Sequence, residues 1–267
     1  MPGQIKGVVF DIDGCLIYGD RTIPGAPELV AELRRQGLKL CFFTNGNMDP
    51  ARHWAETLTL LGFEAREDEV LTSLMVAADC IAERFPAARV LPVGSATMRS
   101  VLKAKGVQTL DWNDGRNAEV VLMGRDLEFS QRKLEIVCEA IWRGARFIAT
   151  NLDRRLPAGE GFIPETGPMV KAVEWATRRR PLVVGKPSRV AGRAALKLLG
   201  VPAESALVVG DNLQQDIRMG KALGMHTALV LTGCTSKEDL QSLPERLRPD
   251  VILPDVTHLA GWLDTGV

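Results

Sequence analysis

The chain alternates short apolar runs with longer segments in which apolar residues recur every three or four positions. That alternation predicts strands and helices following one another along an α/β protein. Gly7 to Phe10 is apolar and rich in β-branched residues, and it reads as a buried strand that stops at Asp11-Ile-Asp-Gly14. Ile23 to Glu28 opens a helix with proline near its first turn. Leu29, Val30 and Leu33 give that helix an apolar face, and Gly37 stands where a left-handed cap would end it. Leu38 to Phe43 is a second buried strand, stopping at Thr44-Asn-Gly-Asn47; a helix over 51–61 follows, ended by Gly62.

Near Thr72 the pattern restarts. It predicts helices over 76–81, 95–105, 130–143 and 167–177, strands over 88–93, 107–110, 119–123 and 145–149, and an irregular stretch around Gly159 and Gly161. The middle third is therefore a second α/β unit with its own core. The last third predicts a strand from Pro181 to Lys186, a helix over 188–199 ended by Gly200, and a strand over 205–212 that stops at Asp211. Asp216 begins the next helix, and strands over 227–231 and 251–253 precede a final helix over 257–263.

Composition narrows the class. With 267 residues there is chain enough for one large domain or two smaller ones. Basic and acidic residues balance at 33 each, so nothing biases the protein toward nucleic acid or an anionic membrane surface. Arg178 to Arg180 is expected at a solvated helix end, where the helix dipole favours cations. No apolar run approaches the roughly 18 residues of a membrane span. The N-terminus runs directly into the first strand, so no signal peptide is expected. The five cysteines are scattered, with neither zinc spacing nor a disulfide framework; a reducing, cytoplasmic setting is expected. Cys41 and Cys138 lie in apolar segments and read as small core residues.

The candidate chemistry sits at strand ends. Asp11 and Asp13 close the first strand, Thr44 and Asn45 the second, Lys186 another, and Asp211 one more, with Asp216 close behind. In a single parallel sheet these ends would share one edge, where open α/β sheets bind ligands. Two carboxylates about 4 Å apart repel by about 4 kcal/mol at an effective dielectric of about 20, a cost that a divalent cation removes. Each group has a task in moving a phosphoryl group. One aspartate can act as nucleophile, and the other can protonate the leaving oxygen and then activate water. Mg²⁺ on hard oxygen ligands neutralises charge, while Lys186 and the donors of Thr44 and Asn45 stabilise the transferring oxygens. Each piece also has a plainer reading: Asp-x-Asp-Gly and Gly-Asp-Asn as turns, Thr-Asn-Gly-Asn as a helix-capping loop, Gly-Lys-Pro as surface punctuation. Their joint order after separate apolar strands is what favours chemistry. His53, His226 and His258 have no companions at useful spacing and receive no role.

Phe10-Asp-Ile-Asp-Gly14, Phe43-Thr-Asn45, Gly185-Lys-Pro187 and Val209-Gly-Asp211 through Asp216-Ile217 resemble the four motifs of the haloacid dehalogenase superfamily of phosphohydrolases. The insert, with Val121 to Gly124 and Phe147 to Asp153, is similar to the cap of the branch holding the NagD-like and 4-nitrophenyl phosphatase-like enzymes. The resemblance implies a Rossmann-like parallel-sheet core over 1–77 and 181–267 and a smaller α/β cap over 78–180. It implies Asp11 as nucleophile and Asp13 as general acid and base. Mg²⁺ would be held by Asp11, the backbone carbonyl of Asp13, and Asp211; phosphate by Thr44, Asn45, Gly46 and Lys186. Asp216 and Asn212 would stand behind these groups, Asp216 positioning Lys186 or a metal-bound water. The cap residues Asn151 to Asp153 would meet the non-phosphate part of a small soluble phosphate monoester. Relatives often pair through the cap, so a homodimer is a further expectation. Three positions depart from the pattern: Cys15 where Thr or Val is frequent, Gln215 where Thr is, and Thr-Asn-Gly-Asn for the commoner Thr-Asn-Asn-Ser. The alternatives are a phosphate-binding regulator without catalysis, a phosphomutase, and a dehalogenase, which would need neither Asp13 nor Mg²⁺.

Overall fold

The computed structural model describes residues 5–158, 161–241 and 243–264. In chain order its elements begin with β1 (Gly7–Asp11), the short hairpin β2 (Ile17–Tyr18) and β3 (Arg21–Thr22), α1 (Ala26–Arg35), β4 (Lys39–Thr44), α2 (Ala51–Leu60) and β5 (Val70–Thr72). The middle of the chain forms α3 (Ser73–Arg84), β6 (Val90–Val93), α4 (Ala96–Ala104), β7 (Val120–Met123), α5 (Gln131–Trp142), β8 (Arg146–Ala149), β9 (Arg155–Ala158), β10 (Gly161–Pro164), α6 (Thr166–Thr177) and β11 (Leu182–Val183). The last part holds α7 (Arg189–Leu199), β12 (Ala206–Gly210), a π-helical turn over Leu213–Ile217, α8 (Arg218–Leu223), β13 (His226–Val230), α9 (Lys237–Gln241), β14 (Val251–Leu253) and α10 (Leu259–Asp264).

The chain divides into two compact units. The first comprises 1–44, 51–71 and 186–267; the second comprises 45–50 and 72–185. The first unit is built on a six-stranded sheet in the order β14-β13-β12-β1-β4-β5. Its mapped pairings are parallel, Phe10 lying opposite Phe42 on one side and Val209 on the other. Strands buried on both faces of a parallel sheet should read as unbroken apolar runs, and Val8 to Phe10, Leu40 to Phe43 and Ala206 to Val209 do. Sequence order runs outward from β1 in both directions, so the ends of β1, β4 and β12 flank the point where the topology reverses. α1 buries Ala26, Leu29, Val30 and Leu33, one stripe at helical spacing, and Gly37 follows it at φ 84°.

The second unit has its own sheet, β11-β8-β7-β6, parallel throughout. Its core joins Leu91 and Val93 of β6, Val121 and Met123 of β7, Ile136, Val137 and Ile141 of α5, and Val170 and Val173 of α6. Ser95, Ser130 and Thr72 cap α4, α5 and α3 with side-chain hydrogen bonds to the first turn. Arg178, at φ 56°, ends α6, and Arg178 to Arg180 are exposed.

Three expectations need correction. The run Pro181 to Lys186 forms only the two-residue β11, and that strand pairs with Ile148 and Ala149 of the second unit's sheet rather than joining the first. Lys186 is thus not the end of a core strand. The stretch 107–110 makes a single bridge, Thr109 to Val90, in place of a strand, because only Gln108 and Leu110 exchange backbone bonds with Val90. The stretch expected to be irregular contains an antiparallel hairpin, β9 with β10; Gly159, one of the two glycines expected there, lies outside the described residues. β5 was not anticipated, being too short to carry a period.

Candidate active site

In the first unit, the carboxyl edge of the sheet gathers the titratable groups. Asp11 is the last residue of β1, Thr44 the last of β4 and buried, and Asp211 the residue after β12. Lys186 is 2% exposed, and its Nζ donates to Asp11 Oδ1 at 2.6 Å, to Asp216 Oδ1 at 2.8 Å and to the Phe43 carbonyl at 3.1 Å. Burial works against the ammonium charge, but Asp11 and Asp216 outweigh it and hold the Lys186 pKa above its ordinary value. The ammonium also lies 5.3 Å from the centroid of the Phe43 ring.

Oxygens of Asp11, Asp211 and Asp216 all lie within 4.8 Å of one another. Three carboxylates against one lysine leave surplus negative charge in a poorly hydrated place, and hard oxygens at this spacing suit a small divalent cation. The acids register that surplus. Burial, then the Asp11 charge, pushes Asp211 up to about 6. Burial pushes Asp216 upward as well, against the pull of Lys186. Asp13 keeps solvent on part of its surface, which screens it, yet desolvation by its neighbours and then Asp11 still raise it, to about 6. The Asp13 carboxyl stands outside the three-acid group among the described residues; the family resemblance implies only its backbone carbonyl as a cation ligand.

Glycines shape this pocket of acids. A Cβ on Gly233 would fall 1.9 Å from Asp211 Oδ2, and one on Gly14, which sits at φ 79°, would fall 2.6 Å from the same atom. A Cβ on Gly210 would fall 2.3 Å from Asp216 Cγ. The backbone amide of Cys234 donates to Asp211 Oδ2 at 2.6 Å, and Asn212 N donates to Asp216 Oδ2 at 3.3 Å. Cys15 is buried, its thiol directed at the Val209 carbonyl at 3.7 Å. Gln215 lies in the π-helical turn that presents Asp216.

Asn45, Gly46, Asn151 and Asp153 all belong to the second unit, although Asn45 follows Thr44 directly in the chain. Asn45 Nδ2 donates to Asp153 Oδ2 at 3.2 Å, Asn151 Nδ2 donates to the Asn45 carbonyl at 2.8 Å, and Ser73 Oγ donates to that carbonyl at 2.7 Å. The structure therefore groups the sequence-derived residues as two sets: Asp11, Lys186, Asp211 and Asp216 with Thr44 in one unit, and Asn45, Asn151 and Asp153 in the other. Sequence reasoning missed Gly14, Gly210 and Gly233 as shapers of the acid site, the Phe43 carbonyl and Cys234 amide as partners, and Asn47, Ser73 and Glu165 in the second unit. Backbone partners and glycine clearances leave no residue-type signal; the Asp-x-Asp-Gly run that ends at Gly14 was the one available hint.

This is the layout of a phosphoryl-transfer hydrolase: an α/β sheet with acids and a lysine at its carboxyl edge, and a second α/β unit inserted in the chain. Residues 8–108 match the family model of haloacid dehalogenase-like hydrolases, and residues 183–259 match a HAD-hydrolase-like model. Ribonucleotide monophosphatase NagD of Escherichia coli K-12 is 32% identical over 96% of this chain and 98% of its own, and its solved structure superposes with a TM-score of 0.88. A p-nitrophenyl phosphatase of Archaeoglobus fulgidus is 36% identical, covering 97% of this chain and 100% of its own at a TM-score of 0.89. The glycerol phosphate phosphatase of Mycobacterium tuberculosis, solved in complex with magnesium, is 32% identical over 94% of this chain and 75% of its own, with a TM-score of 0.87. The chain belongs to the haloacid dehalogenase-like hydrolases and is a phosphatase of their NagD and 4-nitrophenyl phosphatase branch.

Proposed function

We propose that the protein is a magnesium-dependent phosphatase of small phosphate monoesters that works through an aspartyl phosphate on Asp11. The observation that carries this reading is the buried Lys186 bridging Asp11 and Asp216, with Asp211 beside them. Asp11, Asp211 and the Asp13 carbonyl would hold Mg²⁺, and Asp216, bonded to Lys186 and with an oxygen within 4.8 Å of those of Asp11 and Asp211, would stand behind them. When bound, the ion supplies charge neutralisation for the phosphate and the acids.

The chain's own residues do the rest. Asp11 attacks phosphorus as an acceptor of the phosphoryl group, splitting one hard displacement into two. Lys186 orients that carboxylate, and its own charge is secured by Asp11 and Asp216. Asp13, with a carboxyl raised toward neutrality, can hand a proton to the departing alkoxide and take one from the water that cleaves the acyl phosphate. Thr44, Asn45 and Gly46 supply neutral donors to the phosphate oxygens. The first unit serves as the catalytic core and the second as its cap; Asn151, expected to meet the leaving group, is instead fully buried with its amide given to the Asn45 carbonyl and the Asp153 backbone N–H, which leaves the part-exposed Asp153 for that role. The relatives' range, from ribonucleotide to glycerol phosphate and 4-nitrophenyl phosphatases, supports a small monoester of sugar, polyol or nucleotide type.

Phosphate release from 4-nitrophenyl phosphate and a panel of phosphorylated metabolites, with Mg²⁺ and with EDTA, tests the reading. Turnover is expected only with Mg²⁺, and Asp11→Asn should lower kcat by at least about a thousandfold while leaving the circular dichroism spectrum intact. EDTA-resistant turnover, or an active Asp11→Asn enzyme, would reject it.

A further inference from the structure

The segment that follows β4 is tied down residue by residue within the second unit. Ser73 Oγ and Asn151 Nδ2 both donate to the Asn45 carbonyl, and Ser95 Oγ donates to the Met48 carbonyl at 3.3 Å. The deepest of these ties is Asn47, which is 1% exposed. Its amide is fully engaged: Oδ1 accepts from the Arg125 backbone N–H at 2.8 Å, and Nδ2 donates to Thr166 Oγ1 at 3.1 Å and to Glu165 Oε1 at 3.2 Å. The seat is built for this side chain, since a Cβ on Gly124 would fall 2.8 Å from Asn47 Oδ1. Glu165 is itself 3% exposed, and among the described residues its Oε2 has no hydrogen-bond partner. A carboxyl so placed accepts a donor and tolerates no second acceptor.

We propose that Asn47 is a positioning residue: through Glu165, Thr166 and the Arg125 amide it holds the backbone of Asn45 and Gly46 in the conformation that receives a phosphate group. Asn47 touches no reacting atom. It joins three separate pieces of the second unit, the loop after β7, the start of α6 and the segment 45–50, and removing it loosens the pair Asn45–Gly46 on the side away from the Ser73 and Asn151 bonds to the Asn45 carbonyl. The proposal rests on the reading in which Asn45 and Gly46 bind phosphate.

The polarity of the Asn47–Glu165 bond supplies the test. Asn47→Asp keeps the shape but, above about pH 8 where Glu165 is ionised and all kinetics are measured, sets an acceptor against Glu165 Oε1. Asn47→Asp with Glu165→Gln restores a donor–acceptor pair with its direction reversed. Kinetics with 4-nitrophenyl phosphate, competition by inorganic phosphate and hydrogen–deuterium exchange of the peptide spanning 44–50 are measured on all three variants and the wild type. N47D is expected to raise KM and the phosphate inhibition constant about tenfold with kcat changed less than about threefold, and to speed exchange of that peptide. E165Q, which still offers an oxygen to Asn47, should stay within about threefold of wild type, and the double variant should return to that range. Wild-type KM and phosphate inhibition in N47D, or a double variant no better than N47D, overturns the proposal. If N47D does not fold, Asn47→Ser is measured in its place, and an unchanged KM there overturns it equally. A wild-type protein that releases no phosphate would instead remove the phosphatase reading itself, and this proposal with it.

Discussion

Glu165 shows how much one buried carboxyl can govern. Burial, the largest influence, then Asp153, push it up to about 7 from an ordinary 4.5, against Thr166, Asn151 and Arg125. The folded protein therefore binds this proton more tightly than the unfolded chain does. Its contribution is fully present below about pH 4.5 and is lost as pH rises through about 7, a swing on the order of 3 kcal/mol. Glu165→Gln removes the swing, so its melting temperature should gain on wild type steadily between pH 5 and 8; a constant difference across that range would contradict the shift. At this scale the sequence was legible where a residue type announces its chemistry. Asp11, Asp211, Asp216 and Lys186 could be picked out because an acid or lysine after an apolar strand is conspicuous. Asn47 and Glu165 could not, because a polar residue in a loop looks alike whether it faces water or a buried partner.

At the scale of elements, hydrophobic periodicity located the long helices and the central strands, since burial on one stripe or both faces leaves a readable pattern. It failed where pattern and partner part company. The apolar run before Lys186 is a strand, but which sheet it joins depends on edge pairing with β8, and no local period encodes that. In the hairpin β9–β10, strand β10 is solvent-facing throughout, Phe162 and Ile163 included, so its alternation carried no buried face to read. The turn from β12 into the π-helical segment is where an element dictates chemistry. Gly210 lets Asp216 fold back against the strand end, and Gly210→Ala should displace that carboxylate from Lys186. Activity is expected to fall at least about tenfold, with about 1–3 kcal/mol lost in urea unfolding from overpacking. Retained activity in this variant would separate Asp216 from the function of Lys186.

For the whole molecule, two hydrophobic cores mean that each unit can hold its own shape, and the inserted order of the chain was visible as a pattern that stops, restarts and returns. What the leaving group looks like was not visible, because the shape of a substrate-facing surface depends on packing that one sequence does not spell out. Ligand linkage gives a measure of the cation reading that is independent of turnover. An ion at 100 times its dissociation constant stabilises a folded protein by about 2.7 kcal/mol. Millimolar Mg²⁺ should therefore raise the melting temperature of the wild type by several degrees, and Asp211→Asn should abolish most of that rise. A variant that still gains the same increment would place the ion elsewhere.

The three acceptors around Lys186 have a consequence for reagents as well as for substrates. An amine must shed its proton and its partners before it can attack an acylating or carbamylating agent, and this one is held charged and out of water on every side described. Under acetic anhydride or cyanate, the surface lysines should be modified early while Lys186 stays unlabelled until the native structure opens, so its modification would serve as a clock for unfolding of the catalytic edge.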